Sequence, residues 1–125
     1  MRGRLLSATL CLFLAGCEEA REPRFCTAIA VDALAVTVVD AATGQRICDA
    51  TVIAADGAFR EELRGFGPGL DCGYSGPTER AGRCEVRVSR AGYEAALRPG
   101  VTVTADECHV IPVRLTVDLT PSPGP

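Results

Sequence analysis

Apolar residues recur at every second position through most of this chain, a period that predicts strands. In ALAVTVVD, residues 33–40, Leu34, Val36 and Val38 fall on one face, and β-branched residues are frequent. DAATGQ follows with the composition of a turn. The next run, DATVIAADGAF (49–59), sets Ala50, Val52 and Ala54 on one side. Asp56-Gly57 stands between apolar runs, where a two-residue type I′ turn would fold a third strand, 59 to about 63, back onto the second. RCEVRVSRAGYEA (83–95) places Cys84, Val86 and Val88 on one face and Arg83, Glu85 and Arg87 on the other. GVTVTADE (100–107) reads as a further strand and turn. HVIPVRLTVDL (109–119) turns Ile111, Val113, Leu115, Val117 and Leu119 inward, with Arg114, Thr116 and Asp118 outward. Pro112 cannot donate to a ladder, so it should mark an edge or the start of that strand.

Residues 65–82, GFGPGLDCGYSGPTERAG, hold six glycines and two prolines and read as a long irregular loop, with at most a short strand near Cys72. No stretch has a helical period. About seven short strands with turn chemistry between them predict an all-β fold, an antiparallel β-sandwich. Strands apolar on one face must bury that face against a second sheet.

The first 16 residues follow a different pattern. Arg2 and Arg4 precede an apolar run over residues 5–14, and the small residues Ala15 and Gly16 follow. This is the layout of an export signal, and the run is too short for a bilayer-spanning helix, which needs about 20 apolar residues. It ends in Leu14-Ala15-Gly16-Cys17, which resembles the bacterial lipobox, where the signal is cut before a cysteine that is then acylated. The competing reading is an ordinary signal peptide with Cys17 merely nearby. The lipobox reading divides the chain into a signal (1–16), a lipidated Cys17 with its tether (17–32), one domain (33–119) and a loose Pro-rich tail (120–125). Glu18 is not the aspartate of an inner-membrane retention signal, so the default is the outer membrane of a bacterial envelope.

Removing the signal leaves 11 basic residues against 16 acids, a net charge of −5, with no lysine at all. Without a basic patch to neutralise phosphates, nucleic acid binding is excluded. Tryptophan is absent and aromatics make up only 5% of the chain, so the core must come from Val, Ala, Leu and Ile and will be thin. Crosslinks would compensate.

The order VTVVDAATGQRICDATVIAADG, GRCEVRVSRAGYEAA, VTVTADECHVIPVRLTVDL resembles the carboxypeptidase regulatory-like domain. The marks are a strand ending in Asp-x-x-Thr-Gly, the DATV opening of the next, the strand from Val86 to Tyr93, and a last strand of alternating aliphatics. The resemblance covers about residues 33–119. It implies a transthyretin-like Greek key and a non-catalytic accessory module that holds, spaces or binds. An enzymatic relative, the hydroxyisourate hydrolase, uses several histidines and a Tyr-Arg-Gly-Ser terminus. This chain has one histidine and ends in PSPGP, which argues against that activity.

Seven cysteines are present. Cys11 leaves with the signal and Cys17 takes lipid, so five remain in an exported chain where disulfides persist. A hairpin fold puts the start of the second strand, Cys48, beside the loop after the third, Cys72. The chain enters the sandwich near Cys26, and Cys108 opens the last strand. The expected pairs are therefore Cys48–Cys72 and Cys26–Cys108, worth roughly 3.5 and 4.5 kcal/mol by loop entropy. Cys84 is the odd thiol, buried and inert beside Val86 and Val88, with exchange against Cys72 or Cys48 as the alternative.

Candidate chemistry is sparse. ADECH (105–109) gathers Asp106, Glu107, Cys108 and His109, but adjacent strand residues point to opposite faces and do not converge on a metal. His109 has no nucleophile positioned beside it by any sequence signal. No G-x-S-x-G, H-E-x-x-H or P-loop occurs. No cofactor, metal or catalytic residue is expected. The best place for binding is the loop 65–82, with Tyr74 as a stacking ring at its tip and Asp71 and Arg80 beside it. The leading expectation is a non-enzymatic, lipid-anchored envelope module that docks a protein. A carbohydrate- or peptidoglycan-binding module is the alternative, and a small envelope hydrolase comes behind both.

Overall fold

Inward rows of Val and Leu form two facing sheets. The computed structural model describes Gly16 and residues 25–124. The rest of the signal, Cys17 and tether residues 18–24 lie outside the described residues. Eight strands form where about seven were expected: β1 (Asp32–Asp40), β2 (Thr51–Asp56), β3 (Phe59–Glu62), β4 (Arg64–Phe66), β5 (Gly73–Thr78), β6 (Gly82–Ser89), β7 (Ala96–Val103) and β8 (Val113–Leu119). One sheet has the order β4-β5-β1-β8 and the other β3-β2-β6-β7. The fold is an all-β sandwich.

The core is the set that period two singles out. Leu34, Val36 and Val38 of β1 meet Val52 and Ala54 of β2, Val86 and Val88 of β6, and Val117 and Leu119 of β8, all essentially sealed from solvent. Burying a Val or Leu side chain is worth about 1.5–3 kcal/mol against leaving it exposed. Ala50 and Cys84 pack at the margin of this cluster. Pro112 stands immediately before β8, and β8 lies at a sheet edge, as the missing N–H requires.

Ile111 departs from the expected inward set and is 51% exposed, while Val110 is buried. The parity changes ahead of Pro112 because 110 and 111 belong to the preceding turn, where the Ile111 N–H donates to the Thr104 carbonyl at 2.8 Å. The sandwich is also not wholly antiparallel. β1 and β8 pair in parallel, from Leu34 opposite Val113 to Asp40 opposite Leu119. The cause is that β7 ends at the end where β1 begins, and residues 104–112 cross to the other sheet at that same end, so β8 sets off in the direction of β1.

The hairpin at Asp56-Gly57 forms one residue later than expected. Asp56 pairs with Phe59, leaving Gly57 and Ala58 as the turn. Only Gly57 has positive φ, +57°, so the turn is not type I′, which needs two such residues. After β3 the chain changes sheets at Leu63, a buried pivot whose N–H donates to the Val52 carbonyl at 2.8 Å.

The largest correction concerns residues 65–82. They contain most of β4 and all of β5, and β5 is an inner strand between β4 and β1. Its glycine content reflects close approach: a Cβ on Gly73 would lie 2.7 Å from the Phe66 ring and 3.2 Å from the Val36 carbonyl oxygen. Tyr74 is 3% exposed and belongs to the core, not to a loop tip. Its hydroxyl donates to the Ile47 carbonyl and accepts from the Ala50 N–H, both at 2.9 Å. Nor is residue 120 the start of a wholly loose tail, because Glu94 and Ser122 N–H groups bond the Thr120 and Gly92 carbonyls at 2.8 and 2.9 Å.

Tyr74→Phe therefore leaves a buried carbonyl and N–H without their shared partner. We expect a loss of about 1–3 kcal/mol in urea unfolding with an unchanged slope. A loss below a few tenths would show that this hydroxyl does not hold the β1–β2 connection.

Candidate functional site

Both expected disulfides are present, one at each end of the sandwich. Cys48–Cys72 closes the end where β1 finishes, with Cα atoms 5.6 Å apart, and Cys26–Cys108 closes the end where β1 starts, at 5.2 Å. Cys84 is free and half-buried. Burial pushes its thiol up, and the nearby Asp56 adds to that. A raised thiol is a poor nucleophile at neutral pH.

The Cys26–Cys108 end carries the most organised polar group. Asp106 builds the turn before β8: its carboxylate accepts from the N–H groups of Cys108 and His109 at 2.8 and 2.9 Å. That turn aims the His109 ring across the end of the sandwich. Its Nδ1 lies 2.6 Å from Glu79 Oε1, and its Nε2 lies 3.0 Å from Thr27 Oγ1. With Glu79 ionised, Nδ1 carries the proton and donates to the carboxylate. With the second proton absent, Nε2 accepts from the Thr27 hydroxyl.

Glu79 sits in the three-residue connection between β5 and β6, and with φ +51° it is the only non-glycine of positive φ among the described residues. Its surroundings enforce that conformation. Its own N–H donates to the Val31 carbonyl at 2.8 Å, while its carboxylate accepts from the N–H groups of Val31 at 2.8 Å and Val110 at 3.1 Å. Burial alone would raise its pKa. The hydrogen bonds from His109, Val31 and Val110 outweigh burial and hold it below the ordinary value.

Beside this trio opens a cleft of about 500 Å³, lined by Thr27, Ile29, Ala81, Asp106, His109 and Val110 among others. Among the described residues, no Lys or Arg lines it. Among the described residues, no group of three or more His, Cys, Asp or Glu side chains could hold a metal ion.

The residues nominated in the 65–82 segment do not converge. Asp71 is exposed in a 3-10 turn, Gly69–Asp71, ahead of β5. Arg80 follows β5, stacked 3.6 Å over the Phe59 ring and 3.8 Å from Asp56. The six residues of β5 separate them by roughly 20 Å. Sequence reasoning named His109 but missed Thr27 and Glu79. One signal was present for Thr27: it follows Cys26 as His109 follows Cys108, so pairing those cysteines places the two side by side. Nothing comparable marks Glu79.

No protein-family model matches this chain, and no curated protein sequence matches it.

A carboxyl whose pKa is depressed by folding contributes stability above its unfolded value, near 4.5, and loses it as pH falls through the folded value. The melting temperature of the wild type should therefore exceed that of Glu79→Gln at pH 7, and the gap should close between pH 5 and 3. A gap as wide at pH 3 as at pH 7 would show that the carboxylate charge is not what clamps this end.

Proposed function

We propose that this chain is a lipid-anchored lipoprotein of the bacterial envelope, its sandwich a structural or protein-interaction module of the carboxypeptidase regulatory-like kind. The observation that carries the reading is the Cys26–Cys108 bond. It belongs to an oxidising compartment outside the cytoplasm, and it fastens the sandwich nine residues after Cys17. Nine residues span at most about 30 Å, so an acylated Cys17 would keep this end of the domain close to the bilayer.

Exposed apolar side chains support that orientation. Phe25 is 93% and Ile29 72% exposed, both in the segment that the disulfide pins. The opposite end, with Cys48–Cys72, then faces away from the membrane and is available to a protein partner. A glycan-binding reading loses the ring it relied on, since Tyr74 is buried.

Cys17→Ala should move the protein from the membrane fraction to the soluble fraction while leaving its melting temperature unchanged. Retention in membranes at the wild-type level would sink the anchor. Crosslinking of the anchored protein in native membranes should capture an envelope protein in near-equal amount.

A further inference from the structure

The sequence assigns no chemistry to His109 because no nucleophile is visible beside it; the fold supplies one. We propose that the cleft at the Cys26–Cys108 end hydrolyses short-chain carboxylic esters, with Thr27 as nucleophile, His109 as general base and Glu79 as the positioning residue. The inference goes beyond the module reading and does not depend on the lipid anchor.

Geometry carries it. A hydroxyl, an imidazole and a carboxylate stand in series at 3.0 and 2.6 Å, each within the reach that nucleophilic catalysis requires. The series is rigid. Thr27 and His109 each follow a half-cystine of the same disulfide, and Glu79 is held by two backbone N–H groups in a strained conformation. Thr27 is exposed at the cleft, and His109 is only partly covered. Ala28, Ile29 and Ala30 line the same cleft, and their N–H groups make no hydrogen bond within the described residues. They are the donors available to an oxyanion.

The lining also selects the substrate. Its apolar walls are alanines with Ile29 and Val110, which suit a short acyl chain. In the reaction, Thr27 Oγ attacks the ester carbonyl carbon as its proton passes to His109 Nε2. The tetrahedral oxyanion is met by the N–H groups of segment 28–30. Collapse breaks the bond to the leaving alcohol, which takes the proton from His109. Water, deprotonated in turn by His109, then attacks the acyl-threonine; collapse breaks the acyl–Oγ bond, Thr27 Oγ takes the proton back from His109, and the carboxylic acid leaves. Ester and water give acid and alcohol, with no other reactant.

The test uses the purified full chain with p-nitrophenyl butyrate, and a fluorophosphonate as covalent label. Turnover above buffer is expected, and Thr27→Val, which keeps the shape and removes the hydroxyl, should lower kcat/KM at least about 100-fold. His109→Ala should do the same, whereas Thr27→Ser should keep activity. Glu79→Gln should lower kcat and displace the pH–rate profile, an effect that a purely structural clamp would not produce. Peptide mapping should place the label on Thr27. No turnover, a Thr27→Val rate equal to wild type with an unchanged melting temperature, or a label elsewhere would each overturn the proposal.

Discussion

The narrow seam of small aliphatic side chains between the two sheets is the constraint from which the rest of this structure follows. Its largest fully buried members are six valines and two leucines. Such a core removes little apolar area per residue from water, and for a domain of this size the surplus over chain entropy is small. The two disulfides answer that deficit by limiting the unfolded chain. Their positions are informative. Each joins segments at an end of the sandwich, where the ladders stop and the aliphatic rows run out, so each covers a place that the core does not reach.

Much of this was legible because period two and cysteine placement report on different scales. Alternation in 33–40, 83–89 and 113–119 located β1, β6 and β8 and their buried faces, since the pleat leaves a side chain only two directions. The hairpin logic that set Cys48 near Cys72 needed only the order of strands. What failed was the reading of composition. Gly73, Gly76 and Pro77 look like loop chemistry, yet they lie in an inner strand, because there Phe66, Leu63 and Glu61 occupy the space that side chains would need. A glycine that makes room for neighbours and a glycine that bends a loop are the same letter. The sheet switch at Leu63 was hidden for a related reason: a strand that changes sheets keeps its alternation.

The candidate site was half legible. His109 could be singled out as the one histidine, and its partners come from parts of the chain 82 and 30 residues away. The link to Thr27 follows from the disulfide, whose two cysteines each precede a member of the pair. The link to Glu79 has no sequence mark, because it rests on a turn whose left-handed residue is enforced by Val31 and Val110. A tight connection with glutamate at positive φ is not what propensity selects.

The two ends of the sandwich share a plan, and the difference between them locates the chemistry. At the Cys48–Cys72 end, Asp40 caps the turn after β1 and takes the Tyr93 hydroxyl at 2.6 Å, while Asp49 holds Arg90 through two hydrogen bonds. Carboxylates there meet a phenol, whose one proton is already given, and a guanidinium, which keeps its protons, so neither partner can pass a proton onward. At the Cys26–Cys108 end the carboxylate meets an imidazole, which has a second nitrogen. That nitrogen passes the polarisation outward to a hydroxyl at the surface of an open cleft. A phenol or guanidinium in this position would end the series in a structural bond. Histidine extends it by one atom with acid–base capacity, and this separates a stapled sandwich end from a site able to move a proton.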